Sequence, residues 1–416
     1  MKQKWPKGLT AESLGRTGIL IGLISLAVTL TLGLPPFIDW FQTQTQPTRS
    51  VDARWHRGAQ LSSADGWTTP TDIAYGNGRW VIVGSIGIAA RPAAWYSTDG
   101  RQWHNGTVQL GTGRDTTAAT LRSVVFAHGL WLGVGDATTF GHLDAAIWQS
   151  ADGVNWRRTS ATESTLGGPG AQGMFAVATG DSNWVAVGYE NFGGDANGAI
   201  WRSGDGTHWT RVQDPGPDLG GSGDQVITSV TRTTAGLWVA AGREDKGGHS
   251  DAVVWVSRDG TTWRRDRAAS ELQGPRDDAI YGLASGDNAI VAVGATRLND
   301  EVDAAIWTSG DGTRWTRVPY NRAVFGGDMQ QTVQDAVYTL GSWLAIGADE
   351  SSGAFNPAVW SSKDGTHWER VDNPEAFDEP RRTRLIAVAA HDNEIMVVGT
   401  RDDGVGQVAA TWGRSP

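Results

Sequence analysis

Carboxylates crowd the glycine-rich connections of this 416-residue chain. Glu190, Asp195, Glu244, Asp245, Asp300, Glu301, Asp349, Glu350, Asp402 and Asp403 fall in segments such as GYENFGGDAN (188–197), GREDKGGHSD (242–251), GADESSG (347–353) and TRDDGVG (400–406). A rim of such groups would collect cations or a basic partner. Neither GREDKGGHSD nor TRLNDEVD (296–303) has the ligand spacing of a calcium loop, so no metal is assigned. Hydrolysis needs two carboxylates, or a Tyr–carboxylate pair, converging in one pocket, and Tyr189 with Glu190 is the pair to inspect. No HExxH, GxSxG or phosphate-loop pattern occurs, and no cofactor is expected. The absence of cysteine excludes disulfides, thiolate metal sites and a Cys nucleophile. A net charge of -10 argues against nucleic acid, whose binding needs a basic face.

The elements that position these groups repeat. WYSTDGRQW (95–103), WQSADGVNW (148–156), WRSGDGTHW (201–209), WVSRDGTTW (255–263), WTSGDGTRW (307–315) and WSSKDGTHW (360–368) share one pattern, with aspartates at Asp99, Asp152, Asp205, Asp259, Asp311 and Asp364. Upstream of each lies a run ending in glycine: RWVIVG, LWLGVG, NWVAVG, LWVAAG, AIVAVG and SWLAIG. Each unit reads as four short strands, A to D, separated by Gly, Asp and Ser turns. Units of this length with four strands apiece are β-propeller blades. A seventh unit, holding EIMVVG and ATW, ends before its strand D, and DARWHRG (52–58) supplies the missing strand from the other end of the chain. The expected fold is an all-β, seven-bladed propeller over residues 51–416, closed by its N-terminal strand. Nineteen of the 22 tryptophans fall on strands B, C and D, where their spacing reads as packing.

With the C–D turns on one face, the B–C and D–A loops share the other. The residue after each strand-B glycine then points to the channel mouth: Ser85, Asp136, Tyr189, Arg243, Ala295, Ala348 and Thr400. The carboxylates crown the same rim, and the D–A loops add Arg114, Arg276, Arg381, Arg382, Trp67 and Phe325.

Residues 1–17 carry four basic groups against Glu12, and Gly18–Leu34 has no charge. Extended to Ile38, this stretch would span about 30 Å as a helix, the thickness of a hydrocarbon core. The expectation is a cytoplasmic tail (1–17), a transmembrane signal anchor (18–38), a polar tether (39–50) and an extracytoplasmic propeller. Secretion after signal cleavage is the alternative.

The Ser-x-Asp-Gly-x-x-Trp unit resembles the Asp-box, or BNR repeat, of the sialidase-like propellers. That resemblance implies that the six box aspartates are scaffold, on the face opposite the family's usual active site. Sialidases use an Arg triad, a Tyr nucleophile with Glu, and an Asp acid/base; none of these could be placed here, and the only Arg-Pro before the first box is Arg91-Pro92. In blade count the chain is more similar to the single seven-bladed assembly-factor propellers, which bind partner proteins without catalysis. The functional expectation is non-catalytic recognition of a protein or cell-envelope glycan on the B–C/D–A face. The alternative is a sialidase-like exo-glycosidase with a non-standard catalytic set.

Overall fold

The computed structural model describes Trp55–Arg414, apart from 62, 64–65, 112–115, 160–162, 169, 192–193, 214–217, 268–269, 273–275, 299–300, 328, 352–353, 372–375, 378–381, 403 and 405. The apolar stretch at 18–38 and the tether therefore lie outside the described residues, as do Asp300, Asp403, Arg114 and Arg381. Among the described residues no helix is long and apolar enough to cross a membrane.

Seven antiparallel sheets follow one another along the chain. Blade 4 is representative: strand A is Asp224–Arg232, B is Trp238–Lys246, C is His249–Ser257 and D is Arg264–Arg265. Blade 2 carries a fifth strand, Thr107–Val108, parallel to its strand D. Blade 7 joins the two ends of the chain. Its strands A to C are Thr383–His391, Glu394–Asp402 and Gln407–Arg414, and Trp55–Leu61 pairs with the last of these as strand D. Strand A of each blade contacts strand A of the next, all the way round. The closed ring leaves no inner sheet edge to pair with another chain.

Apolar alternation builds the core between blades. One cluster joins Val239 and Ala241 of blade 4 to Ile280, Leu283 and Trp307 of blade 5, and equivalent clusters recur around the ring. Every strand A has a bulge opposite the strand-B glycine. The bulge brings a strand-A carbonyl so close that a Cβ on Gly188, Gly242, Gly294 or Gly347 would sit 1.9 Å from it, so only glycine fits. Just past the bulge, four blades reach across to the next. Asp72 accepts from Val124 N (2.8 Å), Ser123 from Val177 N (3.4 Å), Ser229 from Leu283 N (3.0 Å) and Asp335 from Val388 N (2.9 Å). Ala176, Gly282 and Ala387 hold the corresponding place in the other three, so the ties are not uniform.

The six Ser-x-Asp-Gly-x-x-Trp segments are the C–D turns, and their aspartates are fully used in the turns. In blade 5, Asp311 Oδ1 accepts from Thr313 N and Arg314 N (both 2.8 Å), and Oδ2 accepts from Arg314 Nε (3.0 Å). Ser309 Oγ accepts from Gly312 N (2.9 Å), Gly312 takes φ +79°, and Trp315 Nε1 donates to Gly312 O (3.2 Å). Asn155 fills the Arg314 role at Asp152, His208 at Asp205, and His367 at Asp364. These amides and side chains hold Asp99, Asp205, Asp259, Asp311 and Asp364 below the usual carboxylate range. They are turn-forming groups, not a ring of reactive acids.

Candidate functional site

At the positions expected at the channel mouth, on the side of the B–C loops, strand-A and strand-B residues stand directly across from each other. The pairs are Thr69–Ser85, Thr120–Asp136, Gly173–Tyr189, Val226–Arg243, Ala279–Ala295, Thr332–Ala348 and Arg384–Thr400. The bulge residues add Thr71, Arg122, Phe175, Thr228, Tyr281, Gln334 and Ile386. Chemistry is therefore unevenly distributed. Blades 2 to 5 present Arg122, Asp136, Phe175, Tyr189, Arg243 and Tyr281, whereas in blades 6, 7 and 1 only Arg384, Gln334 and Ile386 are larger than threonine.

Within the richer half, Arg122 Nε pairs with the buried Asp136, and the Arg122 guanidinium lies 5.2 Å from the centre of the Phe175 ring. Phe175 stacks on Tyr189, with centroids 5.5 Å apart and planes 23° from parallel. Burial and then the Asp136 charge push the Tyr189 phenol up, with Arg122 partly opposing them. Its hydroxyl is thus held protonated and suited to hydrogen bonding. Burial likewise raises the Tyr281 phenol, against the pull of Arg243 and Arg297. Arg243 Nε also donates to Asp245 at 2.9 Å.

The expected acidic crown is only partly a crown. Glu190, Glu244 and Asp349 each lie one residue beyond the mouth position, so strand alternation turns them to the other side of the sheet. There each meets an arginine from strand D. Glu190 pairs with Arg211; Glu244 takes both Arg265 nitrogens, at 2.8 and 2.5 Å; Asp349 meets Arg370 at 2.6 Å. The Arg265 bonds hold the Glu244 carboxyl below its usual range despite burial. In blade 5 the carboxylate comes from strand A instead, with Asp278 bound to Arg317 at 3.0 and 3.1 Å. Tyr189 and Glu190 consequently do not converge, and the carboxylate that acts on Tyr189 is Asp136.

The remaining sequence candidates are scattered. Asp402 is half-buried and accepts from Gly404 N at 2.8 Å. Glu350 is also half-buried, and its amide donates to Gln330 O. Trp67 is 55% exposed on the loop before blade 1, whereas Phe325 is buried in the blade 6 cluster. No group of three or more metal-ligating side chains occurs among the described residues.

Sequence reasoning missed Arg122, Phe175 and Tyr281 because a bulge adds a residue and breaks the period-two pattern that assigns faces. The strand-D arginines did have a signal. Arg57, Arg158, Arg211, Arg265, Arg317 and Arg370 each follow the strand-D tryptophan by two, with Asn105 in that place in blade 1.

No family model matches the chain, and no curated protein matches it. Solved structures do. The chain is similar to Trypanosoma rangeli sialidase, at 12% identity and a TM-score of 0.51 over 86% of this chain and 59% of that one. The likeness is one of β-propeller fold. The same sialidase with difluorosialic acid as a covalent intermediate gives the same values. An α-L-arabinofuranosidase from Fusarium graminearum matches at 13% identity and TM-score 0.42, over 74% of this chain and 96% of that one. This chain thus spans under two thirds of the sialidase's length, and at these identities the likeness concerns the fold alone.

Proposed function

We propose that the propeller is a non-catalytic recognition module that binds a cell-envelope glycan at the mouth of its channel, over blades 2 to 5, tethered to a membrane by residues 18–38 with the ring on the extracytoplasmic side. The observation that supports this reading is the pairing of the local carboxylates. Asp136 is held by Arg122 and Glu190 by Arg211, while the Tyr189 phenol is pushed up. A phenol nucleophile needs a neighbouring base ready to take its proton. Here the nearby acid, Asp136, is paired with Arg122, and its charge disfavours the phenolate. What remains is hydrogen-bonding and stacking chemistry: Tyr189, Tyr281 and Arg243, half-buried and on three different blades. Sugar rings fit such a surface, presenting C–H faces to aromatic rings and hydroxyls to guanidinium and phenol groups.

The test uses the full chain in detergent micelles against immobilised envelope glycans and envelope protein extract. Tyr189→Ala and Arg243→Ala are each expected to weaken glycan capture about tenfold, the order expected for loss of a buried contact. Asp402→Asn is expected to leave it unchanged. Capture of protein alone, indifference to both mouth variants, or release of sugar from the bound glycan would each reject the reading. Sugar release would favour the exo-glycosidase alternative, with Tyr189 and Asp136 the first residues to replace.

A further inference from the structure

In blade 2 the chain covers its own outer sheet edge. Thr107–Val108, part of the connection from blade 1 into blade 2, runs parallel to Asn155 and Trp156 of strand D. Thr107 N donates to Val154 O at 2.8 Å, and Gln109 N to Trp156 O at 3.1 Å. The strand-C tryptophan fixes where this connection passes, because Trp148 Nε1 donates to Gln109 O at 2.8 Å.

Blade 6 keeps the fixing bond and leaves the edge open. Trp360 Nε1 donates to Val324 O at 2.6 Å, so Val324 holds the place that Gln109 holds in blade 2. The residues before it are helical instead of extended. Asn321 caps a single turn, Arg322–Phe325, and Val324 N donates to Asn321 O rather than to strand D. Strand D of this blade is Trp368–Arg370. Val371 N donates to Val359 O at 2.9 Å, which turns the backbone groups of Glu369 toward strand C and those of Trp368 and Arg370 outward. Among the described residues nothing bonds to those outward groups. A cavity of about 570 Å³ separates them from the helical turn, with Asn321, Ala323 and Val324 on one side and residues 368–371 on the other. We infer that this slot is a docking site for an extended peptide segment of a partner protein, laid parallel to strand D of blade 6 as a fifth strand.

Three observations define the occupant. Unpaired N–H and C=O groups along a sheet edge are a template for another strand, and blade 2 shows the strand that this fold accepts there. It is extended, parallel, and donates to the carbonyls that correspond to Thr366 and Trp368. Next, the helical turn walls the far side of the slot, so a single strand fits and the edge of a second sheet does not. Lastly, the residue paired with the strand-D tryptophan in blade 2 is the half-buried Val108, and in blade 6 the buried Trp368 and Val371 belong to the lining. The partner segment therefore offers a β-branched apolar residue between two free N–H groups, without proline at either. The inference does not depend on the glycan reading, which concerns the mouth over blades 2 to 5.

The chain's own segment supplies the probe. A dye-labelled peptide HNGTVQL, the sequence of 104–110, would be titrated into the full chain in detergent micelles and followed by fluorescence anisotropy. Saturable binding is expected below about 1 mM, and Ala323→Trp, which fills the slot from an exposed position, should weaken it about tenfold or more. A peptide N-methylated at the residue matching Gln109 lacks the donor for Trp368 O and should weaken by a similar factor, with no change to the protein. Leu340→Trp, also at an exposed position but on the blade 6 A–B hairpin, should bind as the native chain does. Circular dichroism of both variants checks that the ring is folded. Absence of saturable binding would overturn the inference, as would binding that is indifferent to Ala323→Trp or to N-methylation. A dimer in sedimentation that Ala323→Trp dissolves would give the slot to a second copy and overturn it as well.

Discussion

Arg370 satisfies two demands with one side chain. Its guanidinium lies 5.4 Å from the centre of the Trp360 ring and donates to Asp349 at 2.6 Å, with Gln331 Nε2 also directed at that carboxylate. Arg211 and Arg317 have similar places beside Trp201 and Trp307. Asp349 therefore belongs to the blade's internal ion pair rather than to a ligand surface, and this assignment can be tested. Asp349→Ala strands a mostly buried guanidinium and should cost about 2–4 kcal/mol in urea unfolding, with glycan capture intact at 20 °C. Converting both partners, Asp349→Leu with Arg370→Met, should recover most of that loss. Glu350→Gln, one residue on, should change stability by less than about 0.5 kcal/mol. If Asp349→Ala left stability unchanged and abolished capture, the carboxylate would belong to the binding site after all.

At the scale of strands, the glycine that ends each strand B and the bulge facing it act as one device. Gly242→Ala would place a Cβ 1.9 Å from Val226 O, which cannot move without breaking the strand A–B register. It should cost roughly 3 kcal/mol or more, as sites with forced backbone shifts do. Gly194→Ala, with nothing within 4 Å and no positive φ, should be neutral or slightly stabilising, and calorimetry separates the two. The glycine itself was legible in the repeat, as were the seven blades and the borrowed closing strand, because Trp, Gly and Asp recur at fixed spacing. The reason for the glycine was not legible, since the bulge lies on the partner strand, whose sequence is small and variable. The mouth residues were hidden by the same bulge, and the rim acids were misplaced by one step of alternation. Removing 51–61 should unpair Gln407–Arg414 and replace one cooperative transition by broad, early unfolding.

The whole ring responds to pH through two groups. Asp72 and Asp335 occupy the same place in blades 1 and 6, flanking blade 7, and each accepts two backbone amides: Ile73 N and Val124 N for the first, Ala336 N and Val388 N for the second. Burial raises Asp72 to about 6 and Asp335 to about 7, the latter also through the Asp72 charge. Both folded values lie above the unfolded value, so between pH 4 and 7 the folded ring binds protons that the unfolded chain has lost. Stability from this source is complete below about pH 4 and declines as pH rises through 6 and 7. The C–D turns act in the opposite sense. Asp259 is lowered to about 2, chiefly by the Thr262 amide, so its contribution is present above the unfolded value and fades as pH falls toward 2. The two trends place maximum stability near pH 4. From pH 5 to pH 8 the ring should lose on the order of 3 kcal/mol, or about 4 °C in Tm for a domain of this size. Asp335→Asn keeps one acceptor and cannot titrate. Its change in Tm from pH 5 to 8 should shrink to about a third of the wild-type value. Calorimetry at constant ionic strength decides the matter, because screening of surface charge would otherwise imitate the trend. A wild-type Tm that rises from pH 5 to 8, or an Asn variant with undiminished slope, would mean that the ring is closed by its apolar seams alone.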